Sequence, residues 1–291
     1  MATLAAALRT IFLISISQIP QCSSQPQISI GRRNTCAVWF GQLKCWGFSK
    51  YADPAYTTNM TDECIPIPPI EPFDLGDNFT AKSVASGRNH NCAISMNGAA
   101  RCWGAAAQGQ LGYGNTDLFS NATNFGKNVD LGTEFIIESA SLGKQHSCFL
   151  STSRQIKCFG SNTNGKLGLG DTENRGDDIS EMGDNLSAID LGDDFSPKQI
   201  ALGAEHSCAL SINSTVKCWG ENLYGQLGYG DAENRGDETG EMGDNLEEID
   251  FADFLPVRIV AGGYHSCAIS GAKEMRCWGV FKNVLYVIDI L

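Results

Sequence analysis

Residues 201–228 read ALGAEHSCALSINSTVKCWGENLYGQLG. Apolar and β-branched residues flank the polar turn around Asn213 and Ser214, which is the pattern of a β-hairpin. Folding about Asn213 sets Cys208 opposite Cys218. Facing residues of a non-hydrogen-bonded antiparallel pair have Cα atoms about 4.5 Å apart, within the short end of the range a disulfide accepts. The same stretch returns along the chain. Cysteine pairs stand at 36/45, 92/102, 148/158, 208/218 and 267/277, and their first members are 56, 56, 60 and 59 residues apart. An aromatic residue and a glycine come after every second cysteine: Trp46-Gly47, Trp103-Gly104, Phe159-Gly160, Trp219-Gly220 and Trp278-Gly279. His90, His146, His206 and His265 each precede a first cysteine by two positions, and Asn34 takes that place in the first unit. Three units run on to Gly109-Gln110-Leu111-Gly112, Gly165-Lys166-Leu167-Gly168 and Gly225-Gln226-Leu227-Gly228.

The first unit is one residue shorter, and Phe40-Gly41 suits a two-residue turn with the same cysteines facing. A further short strand precedes each hairpin, as at Pro197–Leu202 and Pro256–Ala261. No helical period of useful length appears. Four strands in a unit of roughly 57 residues predict an all-β chain, a β-propeller of about five recognisable four-stranded blades. The hairpins fall near 34–47, 90–104, 146–160, 206–220 and 265–279 within a repeat region of 25–279.

The order strand, Gly-x-x-His-x-x-Ala-Leu, turn, x-Trp-Gly-x-Asn-x-x-Gly-Gln-Leu-Gly resembles the regulator of chromosome condensation repeat. The resemblance covers about residues 31–279 and implies a seven-bladed propeller, usually of shorter repeats. This chain departs from it in having five hairpins, a cysteine pair in each, and acidic insertions. Five units either close a smaller ring or form part of an incomplete seven-bladed one. Residues 280–291 are apolar and unlike the segments after the earlier Trp-Gly pairs, which tilts the expectation to the incomplete ring.

The chain has 291 residues, a net charge of −12 and 42% apolar residues. Its acidity argues against a nucleic-acid partner, since phosphate binding needs a basic face. Before Asp53 there is no acidic residue; Arg9, the apolar run Ile11–Ile16 and the small residues Cys22, Ser23 and Ser24 read as a signal peptide over 1–24. A transit peptide is the alternative. The run is too short to span a membrane. Twelve cysteines suit an oxidising compartment, so the expected location is secreted or extracellular. Disulfides within the hairpins join Cys36, Cys45, Cys92, Cys102, Cys148, Cys158, Cys208, Cys218, Cys267 and Cys277, leaving Cys22 and Cys64. Zinc is the weaker reading, because each unit offers one histidine and two cysteines where a structural site wants four close ligands.

Other motifs give way to plainer explanations. Gly160-x4-Gly165-Lys166 looks like a phosphate loop but lacks the Ser or Thr next in line. The repeated histidines read as structural, and no catalytic, cofactor-binding or metal-ligating residue is assigned. Near-duplicate acidic insertions begin at Asp171 and Asp231, and weak calcium binding is chemically allowed there. Each holds an Arg-Gly-Asp tripeptide, at Arg175–Asp177 and Arg235–Asp237, which its repetition explains better than integrin recognition. Sequons stand at Asn59, Asn78, Asn121, Asn185 and Asn213.

The expectation is a secreted, non-enzymatic module that binds an unknown protein or glycan as a monomer. The resemblance also raises a guanine-nucleotide exchange factor for a small GTPase. A carbohydrate-active enzyme, needing a spaced carboxylate pair, is the second alternative.

Overall fold

The computed structural model describes residues 26–32, 34–47, 75–76, 79–116, 126–280 and 287–289. Sixteen strands build five antiparallel sheets among these residues. Blade one holds β1 (Gln27–Ile30), β2 (Asn34–Trp39) and β3 (Gln42–Gly47). Blade two holds β4 (Ala81–Ser86), β5 (His90–Ser95) and β6 (Ala100–Gly104). Blade three holds β7 (Ile137–Leu142), β8 (His146–Ser151) and β9 (Ile156–Gly160). Blade four holds β10 (Pro197–Leu202), β11 (His206–Ser211) and β12 (Val216–Gly220). Blade five holds β13 (Pro256–Ala261), β14 (His265–Ser270), β15 (Glu274–Gly279) and β16 (Val287–Asp289).

Cys36 faces Cys45, Cys92 faces Cys102, Cys148 faces Cys158, Cys208 faces Cys218 and Cys267 faces Cys277. All five pairs are disulfides, with Cα atoms 4.0 to 4.1 Å apart. Phe40 and Gly41 join β2 to β3 with positive φ at both positions (50° and 77°), the conformation of a type I′ turn. The other four hairpins close on a serine. Ser95, Ser151, Ser211 and Ser270 each accept, at Oγ, the backbone N–H four residues on.

Among the described residues blades two, three and four have three strands where four were expected, and the segment that follows β3 in blade one lies outside them. The segment returning along each outer strand makes one backbone bond and then leaves: Val129 to Ala100, Ile189 to Ile156, Ile249 to Val216. The next residue is aspartate in all three. Its carboxylate takes the N–H two residues on, at Gly132, Gly192 and Ala252. That Asx turn redirects the chain before a second ladder bond can form. Blade five differs because β16 pairs along Glu274–Arg276.

The first strand of each blade lies against the first two strands of the blade before it. Each of the four interfaces has its own apolar core, so the fold is built by nearest-neighbour contacts. The aromatic residue after the second cysteine enters the core shared with the preceding blade: Trp103, Phe159, Trp219 and Trp278. Burying a side chain of this size stabilises by about 1.5–3 kcal/mol. It fits because the preceding Gly-x-Leu-Gly ends on a bare glycine; a Cβ on Gly168 would stand 2.7 Å from Trp219 Nε1.

Candidate functional site

The histidines form a structural row. His90, His146 and His206 are fully buried. Each Nε2 meets a serine of the next blade: Ser147 at 2.9 Å, Ser207 at 3.1 Å and Ser266 at 2.8 Å. Those hydroxyls donate to the carbonyls of Gln110, Lys166 and Gln226. A hydroxyl with its proton committed can only accept, so Nε2 must carry the imidazole proton. The three Nδ1 atoms are then bare and have no hydrogen-bond partner. They face glycine: a Cβ on Gly143 would sit 2.5 Å from His146 Nδ1, and one on Gly203 would sit 2.3 Å from His206 Nδ1. Burial pushes the pKa of His90 and His206 down to about 4, and that of His146 well below the ordinary value. These are neutral latches between blades, buried from solvent. Asn34 plays the part in blade one, donating to Asn91 Oδ1.

Lys166, in the phosphate-loop-like stretch, is buried and pairs with Glu205, which also takes Lys144. Burial lowers the Lys166 pKa, opposed by the Glu205 carboxylate. Burial would raise Glu205, but bonds from Lys144 and Lys166 outweigh it and hold the carboxyl below its usual range. Asn162, in the loop's third position, donates to Asp171 and accepts from Leu167 N–H. The loop is therefore filled by its own side chains.

The acidic insertions turn their charge inward. Asp171 binds Asn162, the Glu173 N–H and the Arg175 guanidinium at 2.7 Å. Glu181 accepts from the N–H groups of Gly176 and Asp178. The second insertion repeats this with Asp231 and Glu241. Among the described residues no group of three or more His, Cys, Asp or Glu is placed to hold a metal ion. Arg175 and Arg235 are tied to their own loops, so neither Arg-Gly-Asp displays a free guanidinium. Each insertion also clasps the preceding blade. Gly114 N–H bonds Gly176 O, and Gly170 N–H bonds Gly236 O. Lys157 and Lys217 each donate to two carbonyls that flank them, Leu131 with Gly183 and Leu191 with Gly243.

Beside blade four lies a cleft of about 650 Å³, lined by Asn164, Glu221 and Leu223 and by the insertion from Ala232 to Glu241. Its one lining cation, Arg235, is neutralised by Asp231. Glu221, Glu233, Asp237, Glu238 and Glu241 leave it strongly negative. Burial, and then the Glu205 charge, raise the Glu221 pKa. Leu223 is 63% exposed at the rim. Tyr224 stands next to it and meets Tyr264 of blade five edge to face at 5.4 Å. The sequence reading missed this cleft, because its residues come from three separate segments. The near-identity of the two insertions was the available signal, since it marked the few places where they differ.

Asn185 and Asn213 are both exposed, and Asn59, Asn78, Asn121, Cys22 and Cys64 lie outside the described residues. No helix among the described residues is long and apolar enough to cross a membrane.

The profile of the regulator of chromosome condensation (RCC1) repeat matches residues 81–110, 137–166 and 198–226. The ultraviolet-B receptor UVR8 of Arabidopsis thaliana is 29% identical over 211 residues, 72% of this chain and 44% of that protein. The mitochondrial RCC1 domain-containing protein RUG3 of the same plant is 26% identical over 283 residues, 94% of this chain and 58% of its own length. Human HERC6, a probable E3 ubiquitin-protein ligase, is 32% identical over 157 residues, 54% of this chain and 14% of that protein. This chain thus spans less than two thirds of each relative. Human WBSCR16 superposes with a TM-score of 0.69 at 16% identity, covering 90% of this chain and 65% of that one. Prp20p of Saccharomyces cerevisiae gives 0.64 at 17% identity, covering 87% and 57%. At such identities the likeness is one of fold.

Proposed function

We propose that this chain, which carries RCC1 repeats, is a secreted binding module that takes its partner on the face holding the blade-four cleft. Propellers of this kind are protein-interaction modules, and loops on a rigid scaffold are where recognition concentrates. The observation that carries the reading is the cleft itself: carboxylates beside an exposed apolar group, Leu223, Tyr224 and Tyr264. Glu233 and Glu238 form no ion pair among the described residues, so their fields reach solvent. The chemistry suits a cationic polypeptide segment with an apolar side chain. Five disulfides favour an oxidising setting, which supports export. The same setting speaks against the exchange-factor alternative, whose substrate works in a reducing compartment.

The test uses a fluorescent Lys/Arg-rich peptide carrying one leucine. Binding is read by anisotropy at low salt and at about 0.15 M, where exposed charges are screened beyond about 8 Å. Binding should weaken at the higher salt and drop at least tenfold in the double variant Glu233→Lys, Glu238→Lys, with Leu223→Asp reducing what remains. Equal affinity in wild type and double variant would remove the cleft from the reading. Peptide mapping of the unreduced protein recovered from culture medium tests export separately.

A further inference from the structure

We infer that Asn213, at the tip of the β11–β12 hairpin, carries an N-linked oligosaccharide, and that Asn185 is bare in the folded protein. The inference rests on the chain entering a secretory pathway that glycosylates. Both residues head sequons, Asn213-Ser214-Thr215 and Asn185-Leu186-Ser187. Sequence alone marks both as sequons and puts Asn213 at a hairpin turn; the fold shows what each side chain does.

Asn185 is used by the structure. Its Nδ2 donates to Ser180 O at 2.9 Å, and the next residue, Leu186, is buried in the core. The second insertion repeats the bond, with Asn245 Nδ2 donating to Gly240 O at 2.8 Å. Asn245-Leu246-Glu247 is no sequon. The asparagine is therefore kept for the turn, and the sequon at 185 arises only because Ser187 stands where the twin has Glu247. Sugar transfer acts on the unfolded chain, but a chain modified at Asn185 must fold with bulk on the nitrogen that closes this turn.

Asn213 carries no such duty. Its side chain makes no hydrogen bond among the described residues; only its backbone N–H is engaged, by Ser211 Oγ. The matching tip positions in the other long hairpins hold Asn97, Ser153 and Ala272, so the turn does not need asparagine. Next to it, Ile212 is 54% exposed. A first sugar at Asn213 would stand beside this exposed apolar side chain. The tip lies at the far end of β11 and β12 from Gly220 and the cleft, about 17–20 Å away at the rise of a strand. A glycan there leaves the cleft face open.

The experiment expresses the full chain in cultured animal cells twice, once with its own first 24 residues and once behind a heterologous leader. Protein from medium and from cells is treated with peptide-N-glycosidase in ¹⁸O-water, and the peptides are mapped by mass. The expected result is label at Asn213, none at Asn185, and loss of one glycan in Asn213→Gln with export unchanged. Delivery only with the heterologous leader, with Asn213 labelled, upholds the site and overturns export by the native leader. Exported protein bare at Asn213, or labelled at Asn185, overturns the inference itself.

Discussion

Acid should loosen this fold as the pH falls from 6.5 toward 4. An unfolded imidazole titrates near 6.5, whereas burial holds His90 and His206 at about 4. Between those values the unfolded chain binds more protons than the folded one. Stability therefore rises with pH across the window, is complete above pH 6.5, and is lost as pH falls toward 4. A displacement of about 2.5 units corresponds to about 3 kcal/mol for each of the two residues. That loss is large against the ~5–15 kcal/mol stability of a typical domain. His146 adds in the same direction, and the partly exposed His265 adds less. The structural cause is specific: a second proton on the ring would sit at Nδ1, which faces glycine and has no hydrogen-bond partner, and at His90 the His146 backbone offsets only part of the burial. The Lys166–Glu205 pair contributes in a separate window, lost only as pH drops through the depressed Glu205 pKa. The assay is urea unfolding read by tryptophan fluorescence at half-unit steps from pH 7 to 4. The control variant pairs His206→Asn with Ser266→Asn, copying the Asn34–Asn91 contact of blade one. Its stability should change less steeply with pH than wild type, by about 1.4 kcal/mol per unit. A wild-type profile flat from pH 7 to 5, or a variant with the wild-type slope, would refute the neutral-latch argument.

Removing one bridge, as in Cys208→Ala with Cys218→Ala, should cost about 3 kcal/mol by loop entropy for a loop of roughly ten residues, read by the same unfolding assay; reductant should lower the Tm of the intact chain strongly. Gly143→Ala should cost about 3 kcal/mol or more, because the new methyl would stand 2.2 Å from His146 Cε1 and 2.6 Å from Gly203 O; near-native stability would mean the blades are not packed this closely. Lys273→Gly should gain about 0.5–1 kcal/mol, since Lys273 holds φ at 69° where glycine is unstrained, and a lowered Tm would contradict that. Calcium should leave the Tm unmoved, because Asp171, Asp231, Glu181 and Glu241 already serve N–H groups and guanidinium; a rise with calcium would show a site the carboxylates can reform.

The repeat was legible without coordinates because its signals are local. A hairpin is decided by residues within about ten positions of one another, so Cys208 facing Cys218 and the Phe40-Gly41 turn come from spacing and turn chemistry. The fourth strand was the miss. Strand propensity at Val129, Ile189 and Ile249 is real, but the aspartate beside each competes for the backbone two residues on and ends the pairing after one bond.

Sequence by itself determined the all-β class, the unit length and the hairpins that set one cysteine opposite the other. Tertiary structure alone decided what each repeated residue touches. Nothing in Gly-x-x-His says that the imidazole reaches a serine some 60 positions on, or that Trp219 donates to Lys166 O of the blade before it. Nor could spacing show that the acidic loops spend most of their charge on themselves, while Glu221, Leu223 and Glu238 meet in one cleft. Local pattern is set by side-chain period and turn geometry, which act along the chain. Pairing between blades is set by shape and unsatisfied hydrogen bonds, which exist only once the blades have packed.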